Sequence, residues 1–344
     1  MPQDACSQDE LEFERLSILR RVLSLPVIVS MILAVLFLVF MATRFDVDLG
    51  KMWDEVMGAN LWYLVLAFLV HYTTFLFRGI RWRMLLQNAD VDKESVPGVF
   101  YCSQLLLLSW FANSIGWLRL GDAYRAYLYR DEQDGSFSRT MGTILAERSL
   151  DTVLVVLLLL SAIPFLLDSV TWVLFGLAVL LVAGLTIILV AMTWAKGLLL
   201  RNMPSWMALR YERFHQGTMG GFQRLPIVTV WGLLGWFAEI LRMFLVVKAL
   251  GYDISFSLVV FLTLANSLLT LVPTPGGVGA VESGVASLAV RLSSISANAA
   301  AALVLIDRSI TYISVIILGA VLFLARQAIS SFGTGNSRPN SEQV

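Results

Sequence analysis

Six stretches of this chain are apolar and long enough to cross a lipid bilayer, and this limits the fold more than any other feature. They run roughly over 26–43, 60–78, 141–165, 170–194, 226–249 and 298–325. About 20 apolar residues take a helix across the hydrocarbon core. Lipid offers no partner to an unpaired backbone group, so such stretches form helices. The composition agrees: of 344 residues, 58% are hydrophobic and 15% charged. Soluble domains are about half apolar and a quarter charged. The expected fold is therefore an all-α polytopic integral membrane protein. The formal net charge is zero, which argues against nucleic acid as a partner. Cys6 and Cys102 are isolated, and two histidines make no metal centre, so no cofactor is expected.

Two further apolar regions do not fit single spans. Region 97–131 is split near "SIGWLRLGD", and region 256–292 is split by "PTPGG". Each is too long to cross once, and its halves are short for crossing twice. In a helix interior, Pro and Gly cost roughly 3 and 1 kcal/mol relative to Ala. A break is affordable only where exposed backbone lines a protein-walled or watery cavity. The stretch "PTPGGVGAVE" is expected to end one half-helix and start another, its glycines letting backbone N–H groups approach a ligand closely. The start of a helix favours an anion such as phosphate. The stretch lacks the GK[ST] of a nucleotide-binding P-loop.

Loop cations set the orientation, because Lys and Arg gather on the cytoplasmic side. Arg15, Arg20 and Arg21 precede the first span, and Arg78, Arg81, Arg83 and Lys93 follow the second. Arg130 and Arg139 stay inside only if 97–131 enters the membrane and returns. The basic loop 195–225 is then also inside, region 256–292 dips in from outside, and both termini are cytoplasmic. Ser95 is expected inside and Asp253 outside. The result is about six full spans plus two re-entrant broken-helix pairs in an inverted repeat: a cytoplasmic tail at 1–25, a first repeat at 26–165, a second at 166–326 and a disordered polar tail at 327–344. "ANS" at 112–114 recurs at 265–267, and "ERSLD" at 147–151 is answered by "DRSIT" at 307–311. Each pair falls at the same place in its half. Inverted repeats with broken helices are an architecture of secondary transporters, which bind substrate near the midplane.

Four stretches carry a family resemblance: "RGIRWRMLL" (78–86), "NSIGWLRLGDAYRAYL" (113–128), "ILAERSLDTV" (144–153) and "VPTPGGVGAVESGV" (272–285). Together they resemble the flippase-like transmembrane family typified by the membrane domain of lysylphosphatidylglycerol synthases. The likeness covers nearly all of 26–326. The last stretch matches the family's most specific motif, Pro-x-Pro-Gly-Gly-x-Gly-x-x-Glu, through Pro273, Pro275, Gly276, Gly277, Gly279 and Glu282. Where the family often has a proline ahead of the arginine in the first re-entrant region, this chain has Gly116 and Trp117. About 18 polar residues follow the membrane region, with no soluble aminoacyl-transferase domain among them. The resemblance therefore implies lipid handling or flipping and does not imply lysine transfer. Aminoacyl phospholipids and polyisoprenyl-phosphate-linked intermediates are the implied substrates.

Charged side chains within spans usually face a bundle interior or a cavity. Glu147, Arg148 and Asp151 lie in one span, Glu239 and Arg242 in another, and Asp307 and Arg308 in the last. Glu147 and Asp151 share a helix face. Arg119, Asp122 and Arg125 belong to the first break and Glu282 to the second. The expected site is a polar groove that takes lipid headgroups while acyl chains stay in the bilayer. Arginine forks suit a headgroup phosphate, and Arg119, Arg125, Arg148, Arg242 and Arg308 are the candidates. The carboxylates hold these arginines, receive a cationic headgroup or carry protons. His71 and the Arg-rich end at 78–83 read instead as packing and topology, and "WMALRYERF" (206–214) as an interfacial helix.

The leading functional expectation is a lipid flippase in the cytoplasmic membrane of a prokaryote, and not an enzyme. The rivals are a membrane transferase acting on a lipid-linked donor and an accessory subunit delivering lipid to a separately encoded enzyme. Membrane lipids are the expected partners, alongside such an enzyme or further copies of this chain.

Overall fold

The computed structural model of the chain describes residues 48–89, 96–116, 120–162, 164, 172–272 and 274–335. The expected tail at 1–25, the expected span at 26–43 and the candidate residues Arg119 and Pro273 lie outside the described residues.

Among the described residues the chain is helical, with no strand. A short helix α1 (Leu49–Gly58) leads into the long α2 (Leu61–Ala89). Then come α3 (Val99–Ile115), α4 (Gly121–Gln133), α5 (Phe137–Ala162) and α6 (Trp172–Trp194). The basic stretch forms α7 (Lys196–Asn202) and α8 (Ser205–Gly221), and α9 (Leu225–Ala249) follows. A second broken pair, α10 (Phe256–Leu269) and α11 (Ala280–Leu292), is joined through a 3₁₀ turn at Pro275–Gly277. The last apolar run is α12 (Ala297–Arg308), a π turn at Ser309–Ile313 and α13 (Ser314–Gly335). Of the tail expected at 327–344, residues 327–335 belong to α13 and the rest lies outside the described residues.

Local chemistry sets several of these boundaries. Asp48 caps α1 by accepting from the N–H groups of Gly50 and Lys51. Ser255 caps α10 at Leu258 N–H, and Ser296 caps α12 at Ala299 N–H. In the second break, Gly276, Gly277 and Gly279 all have positive φ, at 58°, 71° and 97°. A side chain is strained in that region. The Gly-rich motif is therefore a demand of the turn itself.

Three continuous helical stretches among the described residues are long and apolar enough to cross a membrane: Leu61–Ala89, Leu225–Ala249 and Ala297–Ala328. The broken pairs are different. Helices α3, α4, α10 and α11 have 17, 13, 14 and 13 residues. At 1.5 Å per residue each falls short of a bilayer core about 30 Å thick.

The molecule is apolar outside and charged within. Leu66, Leu69, Leu234, Phe237, Ile317 and Val321 are exposed on α2, α9 and α13, while Arg81, Arg125, Glu147 and Arg242 are buried. Water would penalise that arrangement, and lipid favours it. Helices α2 and α9 form the central, most extensively packed pair. Gly232 of α9 makes this possible: a Cβ there would lie 2.8 Å from Arg81 Nη1. Helix α8 packs its C-terminal glycines on α5, with a Cβ at Gly217 falling 2.0 Å from Arg139 O. The exposed large apolar side chains of α8, Trp206, Met207 and Leu209, lie at its start, and Arg210, Arg213 and Gln216 are exposed beyond them.

A Cβ at Gly142 would meet Phe214 O at 2.2 Å, and backbone cannot give way. Gly142→Val should destabilise the protein by roughly 1–3 kcal/mol. Thermal unfolding in detergent should show a lower midpoint than for Gly184→Val, since Gly184 has open space around it.

Candidate functional site

The first charged cluster joins α2, α4 and α5. Arg81 donates to Asp151 Oδ1 (2.7 Å) and Oδ2 (2.9 Å) and to Glu147 Oε1 (3.0 Å). The other oxygen of Glu147 accepts from Arg125 Nη2 at 2.9 Å. Arg125 also lies over the Trp82 ring, 4.5 Å from its centroid. One carboxylate thus ties arginines from two other helices. The helix spacing foresees this: Glu147 and Asp151 are one turn apart and face α2 together. Beside them Arg148 grips Asp122 with Nε (3.0 Å) and Nη2 (2.8 Å). Asp122 sits in the first turn of α4. Gly121 N–H is held by Asn113 Oδ1 at 2.8 Å, so the first "ANS" asparagine clips the end of α3 to the start of α4.

The second cluster repeats the pattern on α9, α11 and α12. Arg308 donates to Glu282 Oε1 (2.7 Å) and to Gly276 O (2.9 Å). Glu282 is in the first turn of α11, and its Oε2 accepts from Gly279 N–H at 2.6 Å. Asp307 meets Arg242, which also donates Nε to Glu239 at 3.1 Å. Asn266, of the second "ANS", donates to Asp307 Oδ2 at 3.2 Å. In both clusters 26 residues separate the carboxylate that starts the half-helix from its arginine. In both, the residue before that arginine is an acid buried against an arginine of the central α2–α9 pair.

The two clusters meet at one cavity of about 870 Å³. Arg78, Arg148, Arg242 and Arg308 reach its wall, with Asp151 and Glu239. Asn113, Ser114, Thr263, Asn266 and Thr311 add polar groups, and Trp110 and Trp236 add aromatic faces. Leu181, Leu185 and Ile188 of α6 make an apolar side. Arg78 lies between the two tryptophans, 5.5 Å from the Trp110 centroid and 5.3 Å from that of Trp236. Its nearest carboxylate oxygen, on Asp151, is 3.7 Å away, and its Nε is buried without a hydrogen-bond partner. The side chain of Arg148 is 38% exposed, the most open of the cavity guanidiniums. The π turn directly after Arg308 places Thr311 and Tyr312 on the same wall, and such turns are frequent at functional sites.

The family model for the lysylphosphatidylglycerol synthase TM region matches residues 27–319. The chain belongs to that family. It is also similar to three proteins named as UPF0104 membrane proteins. One from Methanocaldococcus jannaschii is 31% identical over 62% of this chain and 93% of its own length. One from Methanothermobacter thermautotrophicus is 24% identical over 84% and 90%. One from Pyrococcus horikoshii is 21% identical over 80% and 90%. No solved structure matches the chain. The family match and the apolar helices make this a membrane protein.

Within this family member the sequence candidates separate into two groups. Arg148, Asp151, Glu239, Arg242, Gly276 and Arg308 line the cavity. Arg125, Glu147 and Asp307 lie behind them, fully buried, and hold the helices together. Asp122 and Glu282 hold arginines, and Pro275, Gly277 and Gly279 shape the second turn. At the start of α11 the N–H of Gly279, the residue before the helix, donates to Glu282 Oε2, so a carboxylate of the protein already lies at the end expected to meet a ligand anion. The arginines bound to Asp122 and Glu282 face the cavity instead. Arg78 and Arg81, which the loop-charge rule assigns to topology, both belong to the buried network. Their period was the available signal: 78, 81 and 85 share one face of α2, and Leu85 is fully buried.

Removing one member of a buried ion pair leaves a stranded charge, costing roughly 3–5 kcal/mol. Glu147→Gln, which leaves buried Arg125 only Asp122 at 3.6 Å and Arg81 only Asp151, should lower the unfolding midpoint steeply. Arg148→Gln, at a partly exposed pair, should lower it far less. Thermal unfolding of the two purified variants beside wild type checks the order.

Proposed function

We propose that this protein is a lipid flippase or transporter whose cavity takes the anionic headgroup of a phospholipid or lipid-linked intermediate. The observation that carries the reading is the set of four guanidiniums at one cavity with an apolar side wall. Phosphate oxygens accept the paired N–H groups that an arginine fork offers. The Leu181–Ile188 side of the cavity suits an acyl or polyisoprenyl chain. The cavity volume falls in the range of small-molecule sites, about 300–1,000 Å³. That fits a headgroup with the start of its chains, the remainder lying in lipid.

The transport reading also draws on the doubled pattern. The interval from Asp122 to Glu282 equals that from Glu147 to Asp307 and from Arg148 to Arg308. We take the halves to be inverted repeats of about six full spans and two re-entrant pairs, with both termini cytoplasmic. Each half then supplies one carboxylate-held arginine to a shared cavity, and a headgroup can pass from one arginine to the other as the halves rock. The protein sits in the cytoplasmic membrane of a prokaryote under this reading.

The test is translocation of fluorescently tailed phosphatidylglycerol in proteoliposomes containing only this protein. Wild type should move the lipid between leaflets. Arg148→Gln and Arg308→Gln should each slow it at least tenfold while the protein stays folded, a loss of about 1.4 kcal/mol or more in binding. A rate no higher than that of empty vesicles would remove the transport reading. Chemical turnover of the lipid in the same vesicles would favour a transferase.

A further inference from the structure

The cavity has one neighbour that the headgroup reading leaves unused. His71 of α2 is fully buried, and neither ring nitrogen has a hydrogen-bond partner. A buried polar atom left without a partner is costly. The ring is held on three sides by aromatic faces: Tyr72 at 5.3 Å, Phe75 at 5.6 Å and Trp110 at 6.1 Å between centroids. On the open side Nδ1 lies 3.9 Å from Glu239 Oε2. Glu239 lines the cavity, and its Oε1 is also buried without a hydrogen-bond partner. A stranded base therefore sits against a half-used carboxylate at the wall of the cavity.

Glu239 already accepts from Arg242 Nε through Oε2 at 3.1 Å. A proton on His71 would turn the Nδ1 position into a second donor toward that carboxylate.

We propose that His71 and Glu239 form a proton-binding site coupled to the headgroup cavity, so that a proton accompanies each anionic headgroup. This rests on the proposed headgroup reading. The proton adds to the lone pair of His71 Nδ1 and is shared with Glu239 Oε2, and no other bond changes. The charged groups that reach the ring are Glu239 and Arg242 from α9 and Arg78 from its own helix. Helix α3 presents the Trp110 ring to it. With the cavity empty, burial disfavours a charged ring and Arg242 and Arg78 repel a proton, while Glu239 attracts it. An anion entering beside Arg78 and Arg242 offsets the repulsion, and Glu239 then holds the proton. By linkage the proton strengthens anion binding by the same factor, on the order of tenfold. A proton gradient would thereby drive the lipid.

Calorimetry tests this on the purified full-length protein, with dihexanoyl phosphatidylglycerol as the probe. Binding is measured at a series of pH values from about 4 to 7 in buffers of different ionisation heats, which reports protons taken up per lipid bound. In wild type the binding heat should vary with the buffer, in the direction of proton uptake. In His71→Gln and in Glu239→Gln the uptake should fall to zero. Binding with a buffer-independent heat in wild type would overturn the proton site while leaving the headgroup reading intact. So would an unchanged uptake in a folded His71→Gln. Absence of any binding would remove the headgroup reading and the coupled proton with it. In proteoliposomes with an imposed pH gradient, wild type should translocate the fluorescent lipid several-fold faster than without one. For His71→Gln the two rates should be equal, and a gradient response equal to that of wild type would also overturn the proposal.

Discussion

Everything in this structure hangs on buried guanidinium–carboxylate pairs. In lipid the hydrophobic effect does not press helices together, so close packing and polar contacts must hold them. Glu147 gives one oxygen to Arg81 of α2 and the other to Arg125 of α4. Asp307 holds Arg242 of α9 and accepts from Asn266 of α10. These two acids tie the broken pairs to the central α2–α9 pair. Both charges are costly to bury, and the partners make the burial tolerable. The pairs therefore specify which helices meet more than they add net stability.

With the inner pairs fixed, each cluster leaves arginines at the cavity wall. Arg148 and Arg308 are each held by a carboxylate from the first turn of a half-helix. That carboxylate is an internal anion, and a phosphate offers the same bidentate acceptor geometry. In the proposed reading these acids hold the places that an anionic headgroup would take. Under the proposed reading, a headgroup phosphate would take the place of these carboxylates on Arg148 and Arg308. The glycines of the second turn serve the same end, since Arg308 donates to Gly276 O and the chain must approach it closely there.

Much of this was legible in the sequence. Charges inside apolar runs identified Glu147, Arg148, Asp151, Glu239, Arg242, Asp307 and Arg308, because lipid makes an unpaired charge prohibitive. The "PTPGG" stretch marked the second break, because a turn with three positive-φ glycines admits few other residues. The partition into wall and scaffold was not legible. Arg125 and Arg148 look alike in the sequence, and only the packing of α4 on α5 sends one behind the wall and the other onto it. Arg78 and Arg81 were hidden by position: they sit near the end expected for a span over 60–78, where cations ordinarily mark the cytoplasmic face. Helix α2 runs on to Ala89, so both lie well inside it.

The central claim is that the cavity arginines receive a phosphate. Electron cryomicroscopy of the protein in nanodiscs rich in phosphatidylglycerol tests it most directly. The account predicts lipid density in the cavity, with its phosphate within hydrogen-bond reach of Arg148 or Arg308 and its chains toward α6. A well-resolved cavity that holds only acyl chains, or that stays empty with both arginines on Asp122 and Glu282, would contradict it.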